Sequence, residues 1–189
     1  MDFVGPFPPS NRHDYMWVVL CRLMSMVHLV PVETTVQASQ LAGLYVWEVV
    51  RLHGLPDTIV SDRDAKFTST FWREVHRMLG AKLLMSTAFH PQTDGASERA
   101  IRTTAQVLQA MVQPDQRDWA EKIPMVKYAL NSSISSSTGF VPFELNYGHM
   151  PKMMSCVDTG RTSSPPGVET FVRQALENLA MAHNAIIES

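Results

Sequence analysis

The stretch Thr58-Ile59-Val60-Ser61-Asp62 decides the predicted fold, because it is a short apolar run that ends in an acid. A run of this length with β-branched residues predicts a buried strand. Segments with helical spacing of apolar residues lie on both sides of it, so strands and helices are expected to alternate. Asp62 is followed 36 positions later by Glu98, a second acid near the start of another predicted helix.

The remaining elements extend this pattern into an α/β domain. Residues 1–33 are predicted to form three antiparallel strands joined by short connections. Helical spacing predicts helices over 38–53, 68–79, 94–112, 116–131 and 168–187, and apolar runs predict strands over 58–60 and 82–86. The serine-rich segment 132–139 is predicted to be a flexible connection. The expected architecture is a mixed five-stranded sheet flanked by helices.

The composition is that of a folded domain with an appendage. The chain has 189 residues, of which 45% are hydrophobic and 18% charged, and this excludes a disordered protein. Its apolar stretches fall short of the roughly 20 residues of a membrane span, and its N-terminus lacks the features of a secretory signal. Cys21 and Cys156 are far apart, which indicates a reducing compartment without a disulfide framework. Because the apolar stretches are too short to span a bilayer, we expect no membrane partner.

The formal net charge of −2 is unusual for a nucleic-acid enzyme, because phosphate binding relies on lysine and arginine. We expect either that the basic residues gather on one face, or that other domains of a larger polyprotein supply most of the contact with nucleic acid.

Three acids on separate predicted elements, Asp2, Asp62 and Glu98, form a candidate site for hard divalent cations. Such cations require several oxygen ligands in a restricted geometry. Each acid also has a simpler explanation, as a solvated terminal residue, a turn residue, or a first-turn glutamate that pairs with the arginine four positions later. Spacing alone leaves three alternatives to Asp62, namely Asp57, Asp64 and Asp94.

The orientation of Glu98 follows from the apolar stripe of its predicted helix. Glu98 lies on the same stripe as Ile101, Ala105, Leu108 and Val112. Its carboxylate is therefore expected to face the sheet instead of open solvent.

Four quoted segments carry a family resemblance. They are Met1-Asp2-Phe3, Ile59-Val60-Ser61-Asp62-Arg63-Asp64-Ala65-Lys66-Phe67-Thr68-Ser69, Ala88-Phe89-His90-Pro91-Gln92-Thr93-Asp94-Gly95-Ala96-Ser97-Glu98-Arg99 and Ser137-Thr138-Gly139-Phe140-Val141-Pro142-Phe143-Glu144-Leu145-Asn146-Tyr147-Gly148. In this order they resemble the integrase core of gypsy-like LTR retrotransposons. The resemblance covers residues 1–150 and extends more loosely to the final helix.

The resemblance implies an RNase H-like fold with an Asp, Asp, Glu triad. Matched by position, the triad is Asp2 on the first strand, Asp62 after the fourth and Glu98 on the helix after the fifth. The 35 residues between Asp62 and Glu98 equal the family's usual spacing. The matching motif also favours Asp62 over Asp64.

The activity implied by the resemblance is that of a Mg²⁺-dependent polynucleotidyl transferase and endonuclease. The triad would hold two Mg²⁺ ions, with Mn²⁺ as a substitute, and the enzyme would trim the 3′ ends of the element's DNA and join them to host DNA. The implied partners are element ends, target DNA and further copies of the chain. The resemblance also implies that this protein is made in the cytoplasm and acts on host DNA in the nucleus.

Basic and polar residues near the triad are candidate DNA contacts. They are Arg63, Lys66, His90, Gln92, Thr93, Arg99 and Arg102. The alternative for the arginines and the lysine is a surface ion pair. The alternative for the polar residues is a loop that is shaped only by Pro91 and Gly95.

The resemblance also predicts the domain organisation and marks two departures from the family. We expect an integrase core over 1–150, a linker over 151–167 and a terminal helix over 168–189. Since the sequence starts beside its first acid, we expect it to lack the zinc-binding and C-terminal domains that usually flank the core in this family. In addition, Cys21-Arg22-Leu23-Met24-Ser25 stands where the family usually has Asp-Arg-Leu-Thr-Lys.

These departures leave two alternatives open. The chain could be a truncated, inactive integrase remnant that binds DNA weakly or associates with itself. It could also be an RNase H-like nuclease that hydrolyses DNA without joining strands.

Overall fold

The computed structural model describes residues 1–62, 64–85, 95–152 and 167–188. Contacts within these residues divide the chain into two compact units. The first contains residues 1–20 and the described part of 28–101, and the second contains residues 21–27 and the described part of the chain from 102 onward.

The first sheet consists of β1 (Asp2–Val4), β2 (Tyr15–Leu20) and β3 (Val27–Val32), in that order. β1 runs antiparallel to β2, with Asp2 opposite Val18. The N–H of Asp14 donates to the carbonyl of Val32, and so the start of β2 lies beside the end of β3. The centre of β2 is buried on both faces, as expected for the middle strand of a covered sheet.

The second sheet is a parallel pair formed by β4 (Thr58–Ser61) and β5 (Lys82–Met85). The backbone nitrogen of Met1 donates to the carbonyl of Val60 at 2.7 Å and links the edge of β1 to β4. The five strands expected from the sequence are therefore present among the described residues. They form a set of three and a pair, joined by this hydrogen bond.

The helix predicted over 38–53 is continuous but not uniform. It consists of α1 (Ala38–Tyr45), a π-helical segment (Val46–Val50) and α2 (Arg51–His53). Three valines and a tryptophan occupy the π-helical segment, and such β-branched and aromatic side chains crowd a regular α-helical turn. Gly54, at φ +75°, ends the run directly after the predicted last helical residue, His53.

The connection from β4 to β5 contains two helices where one was predicted over 68–79. They are α3 (Ala65–Thr68) and α4 (Thr70–Leu79). The earlier start has a local cause, because the Asp64 carboxylate caps α3 by accepting the N–H of Lys66 at 2.8 Å. Ser69 then interrupts the helix with an extended backbone, and its hydroxyl caps α4.

The C-terminal half of the described chain is helical, with α5 (Gly95–Met111), α6 (Trp119–Ser132), α7 (Pro142–Tyr147) and α8 (Val168–Ile187). α6 starts later than the predicted residue 116, because Gln116 has φ +56° and cannot continue a helix. Helix α7 was not predicted, although Pro142 in its first turn and Gly148 in the left-handed region at its end are typical boundary residues. Asp94, where the predicted helix 94–112 begins, lies outside the described residues.

The first unit has an aromatic core. Its largest buried side chains are Trp17, Tyr45, Phe67 and Trp72, which pack with Leu41 and with valines of β2 and β3. Aromatic residues dominate the burial of apolar surface in cores of this kind. One apolar cluster therefore joins strands of both sheets, β2, β3 and β4, to helices α1, α3 and α4.

The second unit contains α6 packed against α8. The hydroxyl of Ser132 hydrogen bonds to Nε2 of His183 at 2.9 Å. Asn131 is buried on α6, and its amide pairs with both backbone groups of Val27: the Val27 N–H donates to Oδ1, and Nδ2 donates to the Val27 carbonyl, each at 2.8 Å.

The predicted domain boundaries stay predictions, since residues 153–166 of the expected linker lie outside the described part of the chain. None of the helices among the described residues is long and apolar enough to cross a bilayer.

Candidate active site

Asp2 is the first residue of β1 and is half-buried. Its Oδ1 accepts the N–H of Phe3 at 2.7 Å, which holds the carboxylate near the start of the strand. The neighbouring hydrogen bond from Met1 to Val60 places this end of β1 beside β4.

Asp62 directly follows β4 and is also half-buried. Its Oδ1 accepts the N–H of Asp64 at 3.2 Å, so the chain turns locally around the carboxylate. Burial raises the pKa of Asp62 above its ordinary value of 3.8, and the negative charges of Asp2 and Asp64 raise it further. Asp2 therefore acts on Asp62 electrostatically, as expected for two acids of one site.

The structure distinguishes Asp62 from two of the three aspartates that were alternatives to it as a metal ligand. Asp64 has a structural role, because it caps α3 and lies 3.7 Å from the ammonium of Lys66. Asp57 precedes β4, and its carbonyl accepts the N–H of Lys82, so it lies at the opposite end of the strand from Asp62. The third alternative, Asp94, lies outside the described residues.

Glu98 lies in the first turn of α5, and its side chain is exposed. The expectation that its carboxylate packs against the sheet is wrong. The buried stripe of α5 consists of Thr104, Val107, Leu108 and Met111. Glu98 precedes Thr104 by six positions. At about 100° per residue, its side chain therefore points about 120° away from that of Thr104 around the helix. The predicted stripe included Ala105, which is exposed.

Glu98 forms no ion pair with any residue that the structure describes, so its alternative interpretation as the partner of Arg102 gains no support. An exposed carboxylate in the first turn of a helix can serve as an oxygen ligand.

No three His, Cys, Asp or Glu side chains within the described ranges lie close enough together to hold a metal ion. The structure thus brings Asp2 and Asp62 together but does not bring Glu98 into one cluster with them. The two aspartates nevertheless suit a hard cation, because Mg²⁺ commonly binds through one or two carboxylates and takes its other ligands from water and substrate phosphates. A cation beside Asp62 would also compensate the crowded negative charge.

The structure describes three of the seven candidate DNA contacts. Arg99 and Arg102 are exposed on α5. Lys66 is only 23% exposed and is occupied by contacts within the protein. Four candidates, Arg63, His90, Gln92 and Thr93, lie outside the described residues.

The sequence-based prediction missed the role of Phe3. Its ring lies 4.8 Å from the ammonium of Lys66 and stacks on Phe67 with the ring centroids 5.0 Å apart. The available signal was an aromatic residue directly after a predicted catalytic acid, on the same short strand as that acid.

Comparison with known proteins relates the chain to mobile elements. No family model matches it. The chain is similar to the Transposon Tf2-3 and Tf2-4 polyproteins of Schizosaccharomyces pombe (strain 972), with 30% identity over 153 residues, or 81% of this chain. It spans only 12% of the length of each polyprotein.

Solved structures with the same fold are cores of retroviral integrases. The catalytic core domain of BIV integrase aligns with a TM-score of 0.60 and 21% identity, over 78% of this chain and 92% of that one. The HTLV-2 integrase catalytic core domain in complex with magnesium aligns with a TM-score of 0.57 and 13% identity, over 77% and 94%. A simian T-cell lymphotropic virus intasome in complex with PP2A regulatory subunit B56 gamma aligns with a TM-score of 0.60 and 12% identity. This alignment covers 86% of this chain and 59% of that one.

These structures confirm the predicted RNase H-like α/β fold class. The polyprotein similarity adds a relation at the level of sequence to a retrotransposon. On both grounds, the chain belongs to the integrase core family of LTR retrotransposons.

Proposed function

We propose that the chain is the catalytic core of a retrotransposon integrase that processes the 3′ ends of element DNA and transfers them into host DNA. The observation that carries the proposal is the pairing of Asp2 and Asp62 at adjoining strands, with the pKa of Asp62 raised by burial and by the neighbouring acids. Perturbed carboxylates of this kind are typical of functional sites.

In the proposed mechanism, Asp2 and Asp62 would supply oxygen ligands from two segments that the Met1 hydrogen bond links. Glu98, which lies apart from them in the described structure, would supply a third on moving toward them. Two Mg²⁺ ions, or Mn²⁺ in their place, would when bound activate the attacking oxygen and stabilise charge at the leaving oxygen of the phosphodiester. The hydrogen bonds from Phe3 and Asp64 fix the two aspartate side chains before substrate arrives. Water attacks first in end processing, and the new 3′ hydroxyl attacks in strand transfer.

DNA is the proposed substrate and partner. The exposed Arg99 and Arg102 stand on the same helix as Glu98, where they would contact phosphates near the reacting bond. The intasome among the solved structures, and the HTLV-2 cores solved with magnesium in trimeric and dimeric forms, support DNA binding, divalent-metal use and oligomer formation by this chain. A nuclear site of action follows from host DNA as target.

The test is a disintegration and strand-transfer assay on short DNA duplexes with Mg²⁺ or Mn²⁺. We expect the chain to show weak metal-dependent activity. Asp62→Asn and Glu98→Gln are each expected to lower it by more than about 100-fold, since several kcal/mol of charge stabilisation are lost. The matched control is Asp57→Asn, at the opposite end of β4, which should retain the activity of the parent chain.

Three outcomes would redirect the proposal. Activity that survives both Asp62→Asn and Glu98→Gln would overturn the triad. A folded chain without activity in either metal would favour the inactive-remnant alternative, to which the exposed and separate position of Glu98 lends support. Cleavage products without joined products would favour the nuclease alternative.

A further inference from the structure

Lys66 lies between the two segments that carry the paired aspartates. Its ammonium is 4.8 Å from the centroid of the Phe3 ring and 3.7 Å from Oδ1 of Asp64. Phe3 directly follows Asp2, and Asp64 lies two residues after Asp62. One side chain therefore contacts a neighbour of each aspartate.

These contacts are shielded from solvent more than ordinary surface ion pairs are. The side chains of Lys66 and Asp64 are 23% and 29% exposed, whereas those of the ion pair between Arg77 and Glu74 on α4 are 71% and 52% exposed. Partly desolvated charge–charge and cation–π contacts are screened less by salt and hold geometry better than exposed ones.

Each residue that contacts Lys66 also holds an aspartate through its backbone. The Phe3 N–H donates to Oδ1 of Asp2, and the Asp64 N–H donates to Oδ1 of Asp62. In addition, the Phe3 ring stacks on Phe67, the residue after Lys66, with an interplanar angle of 16°. A shift of Lys66 would therefore be transmitted to both carboxylates.

We propose that Lys66 is a positioning residue: by contacting Phe3 and Asp64 together, it fixes β1 against the turn after β4 and so sets the separation of the Asp2 and Asp62 carboxylates. This inference rests on the proposed function. It also replaces the expectation that Lys66 contacts DNA, because both of its partners belong to the protein.

The test is Mn²⁺ binding by the full chain without DNA, measured by electron paramagnetic resonance of the free ion. Lys66→Met keeps the apolar stem and removes the charge, and is expected to weaken Mn²⁺ binding about tenfold, as loss of an outer-shell partner does. Lys66→Arg restores a cation that can stack on Phe3 and pair with Asp64, and should recover most of the affinity. Lys82→Met, on the exposed side of β5, is the matched control and should bind as the parent chain does.

Phe3→Leu gives a second, independent measurement and decides the matter if Lys66→Met does not fold. It should weaken Mn²⁺ binding in the same direction, and the double variant should lose less than the two single losses combined, because both remove one contact. Parent-like Mn²⁺ affinity in a folded Lys66→Met or Phe3→Leu variant would overturn the positioning role. A weaker DNA affinity with unchanged Mn²⁺ affinity would return Lys66 to a phosphate contact.

Asp62→Asn separates this inference from the function on which it rests. Loss of Mn²⁺ binding in Asp62→Asn, together with parent-like binding in Lys66→Met, would reject only the role of Lys66. Unchanged Mn²⁺ binding in Asp62→Asn would reject the site itself.

Discussion

At the scale of the residue, the ionised carboxylate of Asp62 is disfavoured in the folded chain. It is half-buried beside two other acids, and its pKa lies above the ordinary value of 3.8. Functional acids are commonly kept in such surroundings, where the cost is recovered when a cation binds. The arrangement links stability, pH and metal at one position.

This linkage predicts the effect of Asp62→Asn on stability without metal. Because the folded-state pKa is raised, the ionised carboxylate opposes folding fully above that pKa and not at all below the unfolded value of 3.8. Near neutral pH, Asp62→Asn should therefore raise the free energy of unfolding by up to about 1 kcal/mol, with a higher melting temperature. This gain should vanish in acid. Calorimetry in a chelator over a pH series measures it.

The control for this prediction is Asp57→Asn, which removes an exposed carboxylate at the opposite end of β4 and measures the effect of losing one such charge. Asp62→Asn retains an oxygen to accept the Asp64 N–H, so loss of that hydrogen bond does not complicate the comparison. A lower melting temperature for Asp62→Asn near neutral pH would contradict the raised pKa.

At the scale of the element, the sequence predicts most helices and strands but not their irregularities. Periodicity placed α4, α8 and the parallel strands within a few residues. It did not show the π-helical segment Val46–Val50, because five residues are too few to reveal a local change of period. It also missed α7, which is shorter than two turns and has too few residues to establish a period.

Within the second unit, the paired hydrogen bonds between Asn131 and Val27 yield a prediction. The Asn131 amide both donates to and accepts from Val27, whereas a carboxylate can only accept. Asn131→Asp should therefore destabilise the chain by at least about 2 kcal/mol near neutral pH, because the Val27 carbonyl loses its donor in a buried place. Urea unfolding measures the loss.

Acid provides the internal control for Asn131→Asp. A protonated carboxyl regains an O–H donor, so the destabilisation relative to the parent chain should shrink as pH falls. Asn131→Ala should lose stability at every pH. Equal losses for both variants across the pH series would show that the paired hydrogen bonds of Asn131 do not stabilise the fold as described.

At the scale of the whole molecule, the family and fold class followed from long motifs, while the assembly of the site did not. Asp2 lies on the first strand and Asp62 directly after the fourth, as the resemblance implied, but the hydrogen bond from Met1 that links these two strands was not predicted. The orientation of Glu98 was predicted wrongly, because the stripe was counted through Ala105, whereas burial follows Thr104, Val107 and Met111. Which side of a helix packs depends on its neighbours, and sequence spacing alone does not identify them.

The overall charge gives a prediction about DNA affinity. With a formal net charge of −2, binding depends on a few well-placed cations. Arg99→Gln and Arg102→Gln should each weaken duplex binding across sequences and reduce the slope of log affinity against log salt by about one. Fluorescence anisotropy over a salt series measures it.

The matched control is Arg77→Gln on α4, since Arg77 is exposed but pairs with Glu74 at 2.6 Å. It should leave the salt slope unchanged. Equal slopes for the parent chain, Arg99→Gln and Arg102→Gln would place the DNA surface away from α5.

The division into two units has a spectroscopic consequence. Of the four tryptophans, Trp17, Trp47 and Trp72 belong to the first unit and Trp119 belongs to the second. Trp119 is 1% exposed, and Trp47 is 62% exposed. The difference in emission between the parent chain and Trp119→Phe therefore reports on the second unit, and the difference between the parent chain and Trp47→Phe reports solvent or a ligand at the first.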